Sequence, residues 1–90
     1  MITLAEMKQY LRVDFDDDDS LIQDLIIGSV KLCMDICRIE TEEELDEIDN
    51  AKVAVLYAVA YLYENREQAD HNELALSLRG LLFAAHEGGF

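Results

Sequence analysis

The sequence predicts an all-α domain of four helices, with a central and apolar third helix. Proline is absent and only four glycines occur in 90 residues, which favours long uninterrupted helices. Apolar side chains recur at helical spacing, and the longest apolar run, residues 53–63, is too long and too rich in alanine for a buried strand. Ninety residues fit one domain, and 51% apolar content argues against disorder. We therefore expect a single helical domain over residues 1–90.

The first predicted helix begins at a capping box. Thr3 and Glu6 have the S/T-x-x-E spacing in which each side chain accepts a hydrogen bond from the other residue's backbone amide. Leu4, Met7 and Leu11 then form a short apolar stripe. We expect this helix to end near Arg12, before the aspartate run.

The second predicted helix is amphipathic. It begins at an aspartate cap between Asp17 and Asp19 and runs to about Arg38. Nine apolar residues between Leu21 and Cys37 occupy one arc of about 180° on a helical wheel, and charged residues lie opposite. This helix therefore has one wide face to bury.

The third predicted helix is apolar on all sides. It begins either at the capping box Thr41–Glu44 or at Asn50, and all eleven residues of Val53–Tyr63 are apolar or aromatic. A helix of this kind must be covered all round, and three short helices of one small chain do not suffice. We therefore expect a neighbouring subunit to cover its second face. The candidate interface residues are Val55, Val59, Leu62, Tyr63 and Arg66.

The fourth predicted helix runs roughly from Asn72, as its cap, to His86. Its apolar stripe contains Leu74, Leu78 and Leu82, and Gly80 is a weak point within it. Residues 88–90 are expected to fray from the end of this helix.

The charge balance is strongly acidic. Twenty acidic and seven basic residues give a net charge of −13, which should repel free nucleic acid and anionic membranes. The acid is concentrated in Asp14–Asp19 and Glu40–Asp49, and such runs usually serve as solvated linkers. No stretch has the roughly 18 apolar residues of a membrane span, and no signal peptide is recognisable at residue 1. We expect no contact with a membrane.

Neither a metal site nor a catalytic site is predicted. An EF-hand loop that begins at Asp14 or Asp16 lacks glycine at its sixth position and glutamate at its twelfth. Cys33 and Cys37 lie in the middle of the apolar arc of the second helix, where thiols behave as small hydrophobic groups. No nucleophile motif or phosphate-binding glycine loop is present. We expect no cofactor and no enzymatic activity.

Four segments of the chain occur in an order that is familiar from one family of small helical proteins. They are Ile2–Asp14, Leu21–Ile26, Leu62–Glu67 and Leu78–His86. With these segments the chain resembles the tailed-phage head–tail connector family, also described as DNA-packaging adaptors, over nearly its whole length. The acidic segment 40–49 departs from the small connection with glycine or proline that relatives more often have.

The resemblance implies a ring of identical subunits that docks beneath the portal protein and meets tail-completion proteins. DNA would pass through this ring without specific binding, and the subunit would reside at the head–tail junction of the virion after assembly from the host cytoplasm. Both acidic blocks are candidate channel linings, and the first supplies the residues Asp16, Asp17, Asp18 and Asp19. The family has no catalytic residues.

Two other classes remain open at the level of sequence. An acidic protein-binding module, such as a DNA mimic or a small regulatory protein, would use the charge of −13 but leaves the second apolar face of the third helix unexplained. A small Ca²⁺ sensor is disfavoured by the missing loop positions.

Overall fold

The computed structural model describes the backbone of residues 1–86 and the side chains of residues 1–83. The predicted fraying of residues 88–90 lies outside the described residues. No strand occurs in residues 1–86, and the predicted all-α class is confirmed. The helices are α1 (Leu4–Leu11), α2 (Asp19–Cys37), α3 (Glu42–Asp46), α4 (Ala51–Glu64) and α5 (His71–His86).

The described chain has five helices rather than the four expected, because both candidate starts of the third helix are used. The Thr41 hydroxyl accepts a hydrogen bond from the Glu44 amide at 3.2 Å, which begins the short helix α3. The completely buried Leu45 anchors α3 to the core. Asn50 then precedes α4, and its side-chain amide donates to the Leu81 carbonyl at 3.2 Å instead of capping the helix. The turn that separates α3 from α4 allows α3 to pack against α4.

The start of α5 also differs from the expectation. Asn72 lies inside the helix, and Asp70 accepts a hydrogen bond from the Glu73 amide at 3.1 Å. This is the three-residue spacing of an N-cap carboxylate, and the negative charge favours the positive end of the helix dipole. Asp70 therefore caps α5.

Helix α4 lies at the centre of the fold, as predicted. It contacts each of the other four helices. Small and branched side chains give it a surface against which α2 and α5 can pack closely. Its buried residues are Ala51, Ala54, Val55, Ala58 and Val59, and the core around them is completed by side chains such as Met7, Ile22, Cys33, Leu45, Leu74, Leu78 and Leu82.

Helices α1 and α2 both end in a Schellman motif formed by an arginine. Arg12 and Arg38 have left-handed φ angles of 60° and 57°. After α1, the Arg12 and Val13 amides donate to the Gln9 and Lys8 carbonyls at 3.2 and 2.9 Å. The left-handed region of φ and ψ is unfavourable for residues with a Cβ atom. Each arginine therefore has a conformational free-energy penalty at this position that glycine would not have.

Replacing Arg12 with glycine should therefore stabilise the domain. The αL penalty of about 1–2 kcal/mol is removed, and part of this gain is offset by the greater freedom of glycine in the unfolded chain. We expect the free energy of unfolding to rise by about 0.5–1 kcal/mol in urea titrations. Arg12→Ala keeps the Cβ atom and should not give this gain. Equal stability of the two variants would contradict the explanation.

Candidate assembly interface

Two of the expected interface residues lie inside the subunit. Val55 and Val59 have no accessible surface, because this side of α4 packs against the rest of the core. They therefore have no surface with which to contact a neighbour, contrary to the expectation. The other three lie near the end of α4, where Leu62 and Tyr63 are half-buried and Arg66 is exposed.

The opposite side of α4 carries the exposed apolar surface. Val53 and Tyr57 lie one turn apart, with 51% and 37% of their surface accessible. The ring of Tyr57 stacks on that of Tyr61, with 6.4 Å between centroids and 16° between planes. Large exposed apolar residues that are grouped in this way mark candidate contact surfaces.

This surface is bordered by a shallow groove between α1 and α4. The groove has a volume of about 250 Å³ and is lined by Tyr10, Leu56 and the Glu6–Lys52 ion pair. Tyr10 is 54% accessible. The Lys52 ammonium lies 2.6 Å from Glu6 Oε2, and this hydrogen bond holds the pKa of Glu6 below its ordinary value. The ion pair thus ties α1 to α4 beside the exposed tyrosine.

Tyr63 connects the end of α4 to the start of α2. Its hydroxyl donates a hydrogen bond of 2.6 Å to Asp18 Oδ2, and this bond raises the pKa of Tyr63 because the phenol must keep its proton to donate. The Arg66 guanidinium lies over the Tyr63 ring, 5.1 Å from its centroid. Tyr63 and Arg66 therefore have partners within the subunit.

Most of the aspartate run is occupied by contacts within the chain. The Lys8 ammonium lies 2.8 Å from Asp16 and 2.7 Å from Asp19. The hydrogen bonds raise the pKa of Lys8, and the one to Asp16 lowers the pKa of that carboxyl. Asp18 accepts the Tyr63 hydrogen bond. Asp17 is exposed and makes no ion pair or hydrogen bond with the side chains that the structure describes.

The second acidic block lies mostly at the surface. Glu44 turns back to accept a hydrogen bond from the Thr41 hydroxyl at 3.1 Å. The exposed carboxylates of this acidic block include Glu40, Glu43, Asp46 and Glu47. This block is therefore the larger source of free negative charge.

The two cysteines are free thiols in different surroundings. Cys33 is completely buried, and burial raises its pKa to about 12. Cys37 is half-buried, and burial raises its pKa as well. Among the described side chains, no group of three or more His, Cys, Asp or Glu residues could hold a metal ion.

The thiols should differ in reactivity. At pH 8 we expect maleimide to modify Cys37 at least roughly tenfold faster than Cys33, because the thiolate is the reactive form and reagent must reach it. Both thiols should react rapidly in denaturant, as followed by mass spectrometry. Rapid labelling of Cys33 in the native state, or stoichiometric zinc in protein purified without added metal, would contradict the core assignment.

The described residues form a small all-α domain with exposed apolar side chains grouped on α4. The family model of the phage gp6-like head-tail connector protein matches residues 1–86. The chain belongs to this family, and it is a structural component of the phage head–tail junction rather than a member of an enzyme family. No curated protein and no solved structure was found to match it.

Family membership confirms the resemblance drawn from the sequence and favours a connector over a DNA mimic or a regulatory protein. It implies partners in head–tail assembly and a location in the virion. None of the helices in residues 1–86 is long and apolar enough to cross a bilayer.

Proposed function

We propose that the chain forms a closed ring of identical subunits between the portal protein and the tail-completion proteins, through which DNA passes. The family match over residues 1–86 is the observation that carries this proposal. Before assembly, the subunit resides in the host cytoplasm. A ring requires that two different surfaces of each subunit meet head to tail, which is the heterologous arrangement.

The exposed side of α4, together with Tyr10 of α1 beside it, supports the proposal of subunit contacts. Val53, Tyr57 and Tyr10 keep 51%, 37% and 54% of their surface accessible in the isolated subunit. Burial of this area against a neighbour is favourable at roughly 25 cal/mol per Å². We propose this side as the main subunit interface. Leu62 and Tyr63 lie at the end of the same helix and would extend it.

The acidic block at residues 40–49 is the proposed channel lining. A negative wall repels the phosphate backbone and offers no binding sites at which moving DNA would stop. We favour this block over Asp16–Asp19, because Lys8 and Tyr63 occupy three of those four carboxylates.

The role in head–tail joining is tested by removing the subunit from an infecting phage. Heads and tails should then accumulate separately in electron micrographs of the lysate, and expression of the chain in trans should restore complete particles. Complete particles without the subunit would contradict the proposal.

DNA repulsion is tested on the protein itself. We expect no binding to duplex DNA at low salt, where electrostatic attraction would be strongest. The combined variant Glu43→Lys, Asp46→Lys and Glu47→Lys should leave the mass of the assembly unchanged. It should lower the yield of DNA-filled particles, because a basic wall retains DNA. The combined control Asp24→Lys, Asp35→Lys and Glu67→Lys makes the same change of charge at exposed positions outside the acidic block and outside α4. If both variants lower the yield equally, the block does not line the channel.

A further inference from the structure

A groove lined by apolar and basic side chains lies at the C-terminal end of α2. Its volume is about 320 Å³, and it is lined by Ile36, Cys37, Arg38, Arg79 and Phe83. Two of the seven basic residues of the chain therefore meet at one groove. Both arginines are exposed, and neither forms an ion pair with the side chains that the structure describes. Such a groove fits an apolar side chain flanked by negative charge.

The chain carries a complementary feature in the loop between α1 and α2. Phe15 is 51% accessible at this loop, and the neighbouring Asp14 and Asp17 are exposed. An aromatic side chain of this kind, placed between two free carboxylates, matches the groove in polarity and in sign of charge.

The loop is held in place by the rest of the subunit. Lys8 binds Asp16 at 2.8 Å and Asp19 at 2.7 Å, and Tyr63 donates to Asp18 at 2.6 Å. These contacts fix the segment on both sides of Asp17. A loop that is already ordered loses less conformational entropy when it docks.

The loop and the groove lie at opposite ends of α2. The loop precedes the first residue of this helix, the groove contains its last turn, and nineteen helical residues span about 28 Å. A subunit therefore cannot place Phe15 in its own groove. We propose that Phe15, with Asp14 and Asp17, docks into the Arg38–Arg79 groove of a second copy of this chain.

This contact would join neighbouring subunits of the proposed ring, so the inference rests on the proposed function. An aromatic side chain buries about 150–250 Å², whereas stable interfaces bury about 1,200–2,000 Å² in total. The Phe15 contact is therefore too small to hold two subunits alone and acts together with the exposed side of α4. Because it joins opposite ends of identical subunits, it gives the assembly its head-to-tail direction.

Cys37 makes this contact testable, because it lines the groove. In a Phe15→Cys variant at high concentration, added diamide oxidises the introduced thiol and Cys37 of a second copy to a disulfide, and is itself reduced to the hydrazine. We expect a ladder of covalent oligomers on non-reducing gels. The same variant with Cys37→Ser should give no ladder. Ile27→Cys serves as the matched control, because Ile27 is also exposed, at 60%, but lies elsewhere on α2.

The charges provide the second arm of the test. Adding Arg79→Glu to Phe15→Cys should lower the yield of the disulfide about tenfold, since it places like charges together. Further addition of Asp17→Lys should restore most of the yield. If Phe15→Cys links no better than Ile27→Cys, the inference is wrong. The solution mass of the parent protein tests separately whether a ring forms. If a ring forms but this disulfide does not, the Phe15 contact is wrong and the proposed function still stands.

Discussion

Val59→Asp should severely destabilise the subunit at neutral pH. Val59 is completely buried on α4, the helix that contacts all the others. An unpaired carboxylate there costs about 3–5 kcal/mol, compared with a total stability of about 5–13 kcal/mol for a domain of 90 residues. We expect the midpoint of the thermal transition, followed by circular dichroism at 222 nm, to fall by roughly 12–40 °C.

Two further measurements check this explanation. Val59→Ala removes two methyl groups without adding a charge and should cost only about 2 kcal/mol. Because burial raises the pKa of a carboxyl group, the aspartate variant should regain part of its stability as the pH falls and the group becomes neutral. A Val59→Asp protein as stable as its parent at pH 7 would show that this side of α4 is not buried in the subunit.

Val53→Asp should have the opposite effect, with an intact subunit that no longer associates. Val53 is 51% accessible, so the aspartate stays hydrated in the monomer, and the free energy of unfolding should change by no more than about 0.5 kcal/mol. In a subunit interface the same charge would be desolvated without a partner, which weakens association by roughly 100-fold or more.

The matched control for Val53→Asp is Ile27→Asp. Ile27 is similarly exposed, at 60%, but lies on α2 away from the proposed interface. Sedimentation velocity should show assembly by the Ile27 variant and none by the Val53 variant. Assembly by both variants would exclude the exposed side of α4 as the interface.

The sequence predicts the existence of the central helix but not which side of it faces outward. Residues 53–63 are apolar all round, so a helical wheel contains no polar side to mark solvent. The choice is made by the packing of α4 against the other helices, chiefly α2 and α5, which leaves Val55 and Val59 buried and Val53 and Tyr57 accessible. These are contacts between distant segments, and no local pattern records them.

The aspartate run illustrates a second limit. A row of acidic residues predicts uniform negative charge, but the structure brings Lys8 of α1 to Asp16 and Asp19, and Tyr63 of α4 to Asp18. Lys8 lies close in sequence, on the helix just before the run, so an ion pair between Lys8 and these aspartates could have been predicted from the sequence. Tyr63 is 45 residues from Asp18 along the chain, so its contribution depends on the completed fold.

The mass of the purified protein in solution, measured across concentration, tests the central claim most directly. A closed ring predicts a transition from the 10.3 kDa subunit to one oligomer of fixed mass that stops growing when the ring is complete. A subunit that stays monomeric at every concentration, or that grows into oligomers without an upper limit, would contradict a self-assembling ring.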